Sequence, residues 1–297
     1  MKRIEHLGHL KWQTLKLFAG DIKLSHSIFA LPFVMASLVF LQFEGPWWKL
    51  VWIILCMISA RSYAMGLNRY LDREGDAKNP RTSARMIPSG RLSPQSSLAW
   101  SLCFGLLFCF FAFQLNPLAG VLSPFILCIL GFYPFMKKLS WLTHWYLGFC
   151  LGLSPLAASV AISGKIEEDL LLLGLAIMLW TGGFDIIYAL QDQEFDRSLG
   201  LKSFPARFGV KHSLMISRLS FLMMLVCLTV LGVRTETGLL YYTGLLLITL
   251  ILVREQVLVG DSREGAVSKN INAAFFSINA WVGVIFYIFT QLDAWLS

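Results

Sequence analysis

The recurrence of continuous apolar runs of bilayer length is what most constrains this chain. Nine are visible, at roughly 25–43, 48–71, 96–115, 117–136, 145–163, 169–192, 213–233, 238–254 and 271–291. A helix needs about 20 apolar residues to cross the hydrocarbon core. Only helices and closed barrels satisfy every backbone polar group in lipid, and uninterrupted runs favour helices over the alternating pattern of barrel strands. Breakers separate the runs at Gly45–Pro46, Asn116–Pro117, Ser163–Gly164 and Gly260. The 297 residues are 56% hydrophobic and only 14% charged, where soluble domains carry roughly a quarter charged residues. The expectation is an all-α polytopic membrane protein with nine transmembrane helices, forming a single domain over 1–297.

Charge placement orients it. Residues 1–24, 69–91, 137–138, 197–211 and 254–269 together hold twenty Lys and Arg, while the opposite loops hold Lys49, Lys165 and Arg234. This positive-inside asymmetry puts the N-terminus in the cytoplasm. The net charge of +7 is then a topology signal, and no nucleic-acid partner is needed to explain it. The longer loops, 72–95, 193–212 and 255–270, all fall on the cytoplasmic side, where chemistry is expected. Residues 1–24 read as a basic amphipathic segment without a small-residue cleavage site. The six cysteines lie inside apolar runs without a CxxC pair, and the only close histidine pair is His6 and His9. Neither pattern suggests zinc.

Two acidic constellations interrupt this apolar chain. In "NRYLDREGD", Asn68, Asp72 and Asp76 are spaced by four, and each such step turns a helix by only about 40°. They share one stripe at the cytoplasmic end of the second run. Arg61 lies deeper on the same stripe, where an ionisable residue is functional by default. In "DIIYALQDQEFD", Asp185, Tyr188, Asp192 and Asp196 repeat the logic on the sixth run. Carboxylates converging at one face repel unless a cation intervenes, and hard oxygen donors suit Mg²⁺ shared with phosphate oxygens. Basic residues follow both motifs: Arg81, Arg85 and Arg91, then Lys202 and Arg207, with Lys137 and Lys138 ending the fourth run. That polarity suits a metal-bridged diphosphate. A transporter is the rival reading, although its charges would be expected near the midplane. An alcohol phosphatidyltransferase would carry a DG-x-x-A-R start, which is missing here.

These motifs resemble the UbiA superfamily of intramembrane prenyltransferases over nearly the whole chain. Asn68, Asp72 and Asp76 fit its NxxxDxxxD, followed by "NPRT" and "RMIPSGRLS"; Asp185, Tyr188, Gln191, Asp192 and Asp196 fit DxxYAxQDxxxD, followed by "GLKSFPARFG". "YPFMKK" at 133–138 is similar to YPxxKR, with Lys138 where many members have Arg. "DIKLSH" at 21–26 stands at the family's entry to the first span, without its usual Pro.

The resemblance implies nine helices around a central cavity, with loops 72–95 and 193–212 capping the site. It implies Mg²⁺-dependent transfer of a polyprenyl group from a polyprenyl diphosphate to an aromatic acceptor. The acceptor expected is 4-hydroxybenzoate, for ubiquinone synthesis, with a naphthoate on a menaquinone route as the alternative. The metal ligands implied are Asn68, Asp72, Asp76, Asp192 and Asp196. Lys23, Arg61, Arg81, Arg85, Lys137, Lys138 and Lys202 are the candidates for diphosphate or acceptor, and Tyr133, Tyr188 and Asp185 for the ring and the allylic cation. The setting implied is the lipid bilayer of a bacterial inner membrane, ahead of the mitochondrial inner membrane.

Overall fold

The computed structural model describes residues 2–23, 31–260 and 278–296, with side chains from Trp12 onward in the first segment. Among these residues there is no strand, and eleven α-helices follow one another. They are α1 (Lys2–Asp21), α2 (Leu31–Phe40), α3 (Trp47–Lys78), α4 (Pro94–Leu115), α5 (Pro117–Leu139) and α6 (Thr143–Ser163), then α7 (Glu168–Ala189), α8 (Gln193–Ser198), α9 (Phe204–Arg234), α10 (Leu239–Gly260) and α11 (Asn279–Leu296). Among the described residues, seven helices or helical stretches are long and apolar enough to cross a membrane: α3 to α6, α7 continued through Ser198, α9, and α10 to Val259. The chain is therefore an integral membrane protein. Of the first expected span, the ten-residue α2 is described while residues 24–30 lie outside the described residues. Of the last, α11 is described and 271–277 lie outside them, as does most of the expected loop 255–270.

The chain divides into two compact units, one of Met1–Ile28 with Pro46–Pro134, the other of Phe29–Gly45 with Phe135–Ser297. The first holds α1, α3, α4 and most of α5. Its small core joins Phe18, Ile22, Ile87 and Leu92, with the Phe18 and Phe104 rings stacked 5.8 Å apart. Helix α3 is longer than the apolar run suggests, because nothing after residue 71 breaks it until Asn79–Pro80. The residue before a proline is pushed out of the helical region, and Asn79 is extended at φ −90°, ψ 118°. The whole first acidic motif is therefore helical, and the loop expected from 72 begins at 79. Helix α4 starts where Ser93 accepts from the Ser96 N–H, with Pro94 at the first helical position, a standard start signal.

The second unit packs α2, α6, α7 and α9–α11 around a core that includes Leu173, Ile177, Trp180, Leu228, Ile248 and Phe286. Helices α6 and α7 approach most closely. A Cβ on Gly148 would collide with the Met178 carbonyl, and one on Gly152 with the Gly174 carbonyl. Small residues at four-residue spacing are what permit such an approach in membranes. After Ala189 the helix tightens into a 3₁₀ turn, Leu190–Asp192, before α8. The sixth run is therefore not one continuous helix through the second motif. A Schellman pair ends α8: the Leu201 N–H donates to the Asp196 carbonyl at 2.8 Å and the Gly200 N–H to the Arg197 carbonyl at 3.2 Å. Gly200 takes the positive φ of 66° that this closure requires. Helix α9 begins at Phe204, earlier than expected, with a kink at Gly209 (φ 77°, ψ 176°).

Candidate active site

In the first unit, the end of α3 presents the first motif. Asn68 Nδ2 donates to Asp72 Oδ2 at 3.0 Å, which leaves the Asn68 amide oxygen as a hard donor on the same stripe. Asp76 is buried, and Arg85 Nη1 lies 2.7 and 2.6 Å from its two oxygens. The loop that carries Arg85 is pinned to the helix by Thr82 Oγ1, which donates to the Asp76 carbonyl at 3.0 Å. It is also pinned to α1, because the Met86 N–H donates to Asp21 Oδ1 at 3.0 Å. Arg81 is exposed at the start of this loop, its N–H bound to Asn79 Oδ1 at 2.9 Å.

Arg61 Nη1 donates to the Ile22 carbonyl at 3.2 Å. Arg69, which sequence reading passed over, is buried and reaches the Asp21 carbonyl through Nε at 3.4 Å. Lys23 closes α1 in the left-handed region at φ 48°. Burial holds its ammonium below the ordinary lysine range, and the like charges of Arg69, Arg85 and Arg81 push it the same way. This end of the unit is thus a field of positive charge beside three oxygen donors. Tyr133 is half-buried on α5.

In the second unit, Asp192 and Asp196 are buried, at 7% and 1% exposure. Lys137 Nζ stands 3.7 Å from Asp196 Oδ2, too far for a hydrogen bond, so that buried oxygen has a charge partner without a donor. The Lys202 N–H donates to the Lys137 carbonyl at 2.7 Å, and Lys202 Nζ to the Leu139 carbonyl at 3.3 Å. Three predicted residues, Lys137, Asp196 and Lys202, are therefore neighbours. Lys138 is exposed, and Tyr188 packs against the core. Asp185 stands apart from this group. Its Oδ2 lies 2.7 Å from Nδ1 of His144, a fully buried residue of α6. Sequence reading missed His144 because it searched the histidines only for metal spacing. The usable signal was its register, four residues before Gly148 and eight before Gly152.

Among the described residues no three His, Cys, Asp or Glu side chains gather into a metal cage. Each motif instead offers hard oxygen donors: two carboxylates and an amide in the first, two carboxylates in the second. Asp196 Oδ2 is buried without a donor. Such sparse oxygen sets fit Mg²⁺, which keeps water and substrate phosphate oxygens in its shell.

Comparison with known proteins identifies the family. The chain is 31% identical over 240 residues to a 4-hydroxybenzoate octaprenyltransferase of Pectobacterium carotovorum, covering 80% of this chain and 83% of that one. It is 27% identical to the enzyme of the same name from Vibrio campbellii, over 96% and 97% of the two chains. Its fold matches the apo structure of a UbiA homolog from Aeropyrum pernix with a TM-score of 0.82 at 28% identity, covering 91% of this chain and 98% of that one. A UbiA homolog from Archaeoglobus fulgidus, solved with DMAPP and Mg²⁺, shares the fold at a TM-score of 0.72 and 16% identity, over 96% and 100% of the chains. Residues 30–282 match the model of the UbiA prenyltransferase family, and the chain belongs to that family.

Proposed function

We propose that the protein transfers a polyprenyl group from a polyprenyl diphosphate to 4-hydroxybenzoate, with Mg²⁺, in ubiquinone synthesis. The observation that carries this is the pairing, in each acidic motif, of a buried carboxylate with a nearby cation: Asp76 with Arg85, and Asp196 with Lys137. A substrate that brings metal ions and anionic oxygens together can exchange with both partners at once. The octaprenyltransferase name shared by its relatives supports the acceptor, and the DMAPP and Mg²⁺ of the Archaeoglobus structure support the donor and metal.

Asn68, Asp72 and Asp76 would hold metal on one motif, and Asp192 and Asp196 on the other. When held there, Mg²⁺ would supply positive charge to offset the charge that develops on the leaving diphosphate. Arg81, Arg85, Lys23, Lys137, Lys138 and Lys202 share the remaining negative charge. As the allylic C–O bond breaks, its electron pair leaves with the diphosphate. The faces of Tyr133 and Tyr188 stabilise the allylic cation, and Arg61 orients the acceptor carboxylate. An ortho ring carbon supplies the electron pair of the new C–C bond, and the ring proton passes to Asp185. The whole chain acts as one catalytic domain of nine helices around a cavity, its N-terminus in the cytoplasm and its bilayer a bacterial inner membrane.

The test is turnover in lipid nanodiscs with Mg²⁺ and a long-chain prenyl diphosphate, offering 4-hydroxybenzoate and a dihydroxynaphthoate separately and reading products by mass spectrometry. Prenylated hydroxybenzoate is expected. Prenylated naphthoate alone would keep the donor site and move the enzyme to menaquinone synthesis. No product from either acceptor, with EDTA leaving diphosphate binding unchanged, would overturn the reading of both acidic motifs.

A further inference from the structure

His144 joins three elements of the second unit. Its ring lies at the start of α6, Nδ1 faces Asp185 of α7, and Nε2 accepts the Phe204 N–H at 3.2 Å. Phe204 is the first residue of α9, and the first N–H groups of a helix have no partner within it. A backbone N–H can only donate. Nε2 must therefore carry a lone pair, and the single proton of the neutral ring sits on Nδ1. That proton can only be donated to Asp185 Oδ2. The backbone of α9 thus dictates the tautomer, and the tautomer dictates that Asp185 is bonded as an acceptor.

The surroundings keep this relay fixed and dry. The close approach at Gly148 and Gly152 sets the register of α6 on α7, and His144 lies on the same face of α6, one turn before Gly148. The Trp145 and Phe204 rings pack edge to face at 5.7 Å beside it, and Trp141 stands 5.8 Å from Phe204. The Asp185 side chain keeps 17% of its surface open, whereas the histidine has none. Among the described residues, Asp185 Oδ1 takes no hydrogen bond. One oxygen is tied and the other is available.

We propose that His144 is the positioning residue for Asp185: it donates from Nδ1 to one carboxylate oxygen, so that the other is presented in fixed orientation to the proton that leaves the acceptor ring. This rests on the reading of Asp185 as the group that receives that proton. No atom of His144 enters the reaction. The ring proton moves to Asp185 Oδ1 and then to solvent, while the Nδ1 proton stays in place.

The two nitrogens can be tested separately, because an asparagine amide reaches about as far as Nδ1 and a glutamine amide about as far as Nε2. The assay is the nanodisc reaction, run with whichever of the two acceptors the wild type prenylates. His144→Ala should lower kcat by about tenfold to a hundredfold, as loss of a group that orients a functional residue does, and leave KM for the prenyl diphosphate nearly unchanged. His144→Asn should recover most of that loss. His144→Gln, which keeps the tie to α9, should melt like the wild type and remain slow. In an Asp185→Ala background, His144→Ala should cost little more, since partners acting as a unit are not additive.

A merely structural histidine would give the reverse order, with glutamine active and asparagine impaired, or a loss that persists undiminished without Asp185. Either result overturns the proposal. If His144→Ala does not fold, the asparagine and glutamine variants decide alone. Full activity of Asp185→Ala would instead remove the underlying reading of Asp185. A slow Asp185→Ala beside a wild-type His144→Ala would overturn only the role of the histidine.

Discussion

Arg85 Nη1 lies 2.6 Å from Asp76 Oδ2, so a proposed metal ligand and a proposed diphosphate ligand are direct partners. A hydrogen bond to a charged group contributes about 1.5–3 kcal/mol. A metal held by Asp76 would compete with Arg85 for the same two oxygens, and a guanidinium loosened in that way would be available to phosphate. Arg85→Gln should therefore raise KM for the prenyl diphosphate by roughly tenfold or more while lowering the Mg²⁺ concentration for half-maximal rate. Steady-state kinetics across a Mg²⁺ titration reads both. A variant in which both constants rise together would break the link between them.

Asp72→Asn and Asp192→Asn each keep shape and remove one anionic donor. Each should lower turnover on the order of a hundredfold or more at saturating Mg²⁺, the scale expected when charge stabilisation of a developing anion is lost. Insertion and melting temperature should stay close to wild type. Activity and thermal unfolding in the same nanodisc preparation check this, and an active Asp72→Asn enzyme would remove Asp72 from the metal site.

Lys23 sits below the ordinary lysine range because of burial and the charges of Arg69, Arg85 and Arg81. Below the folded value it is protonated in both folded and unfolded chains, and folding bears the full cost of that charge. As pH rises through the lowered folded value, the native state gives up its proton first and the cost disappears. Stability relative to Lys23→Met should thus rise with pH in the window between the folded value and the ordinary lysine range. The gain should be small, because the ammonium is only partly withdrawn from solvent and water screens the charges around it. A bound diphosphate should oppose the downward shift and flatten the trend. Melting curves of both proteins over alkaline pH, with and without the diphosphate, test the sign.

The seam between α6 and α7 has no room for a side chain at Gly148 or Gly152. Gly152→Val should destabilise the protein by about 1–3 kcal/mol, the usual cost of overpacking, and slow catalysis by shifting His144 from Asp185. Thermal unfolding gives the first effect and kcat the second. Substitution at Gly75, where an added Cβ meets nothing, serves as the control and should do neither.

Apolar run length was enough to read the helical membrane fold, and spacing by four to find the first acidic stripe, because both follow from helix geometry alone. The end of α3 was misplaced because residues 72–78 are polar, and polarity was read as loop when only Asn79–Pro80 breaks the helix. The turn at Leu190–Asp192 left no mark in the sequence, since its residues suit an α-helix equally well. His144 and Arg69 were passed over for a different reason. Their roles depend on atoms of Asp185, Phe204 and Asp21, which are 41, 60 and 48 residues away, and no local pattern announces such partners.

The 3₁₀ turn between α7 and α8 turns the chain by about 120° per residue where an α-helix turns about 100°. Over its three residues the chain swings by roughly 60° beyond the α-helical path. The row from Asp185 to Asp196, which an unbroken helix would keep in line, becomes two separately aimed sets. Asp185 faces the histidine seam, and Asp196 faces Lys137. Within twelve residues, one stretch thus presents carboxylates in two different directions, as a site for two substrates with separate polar ends would need.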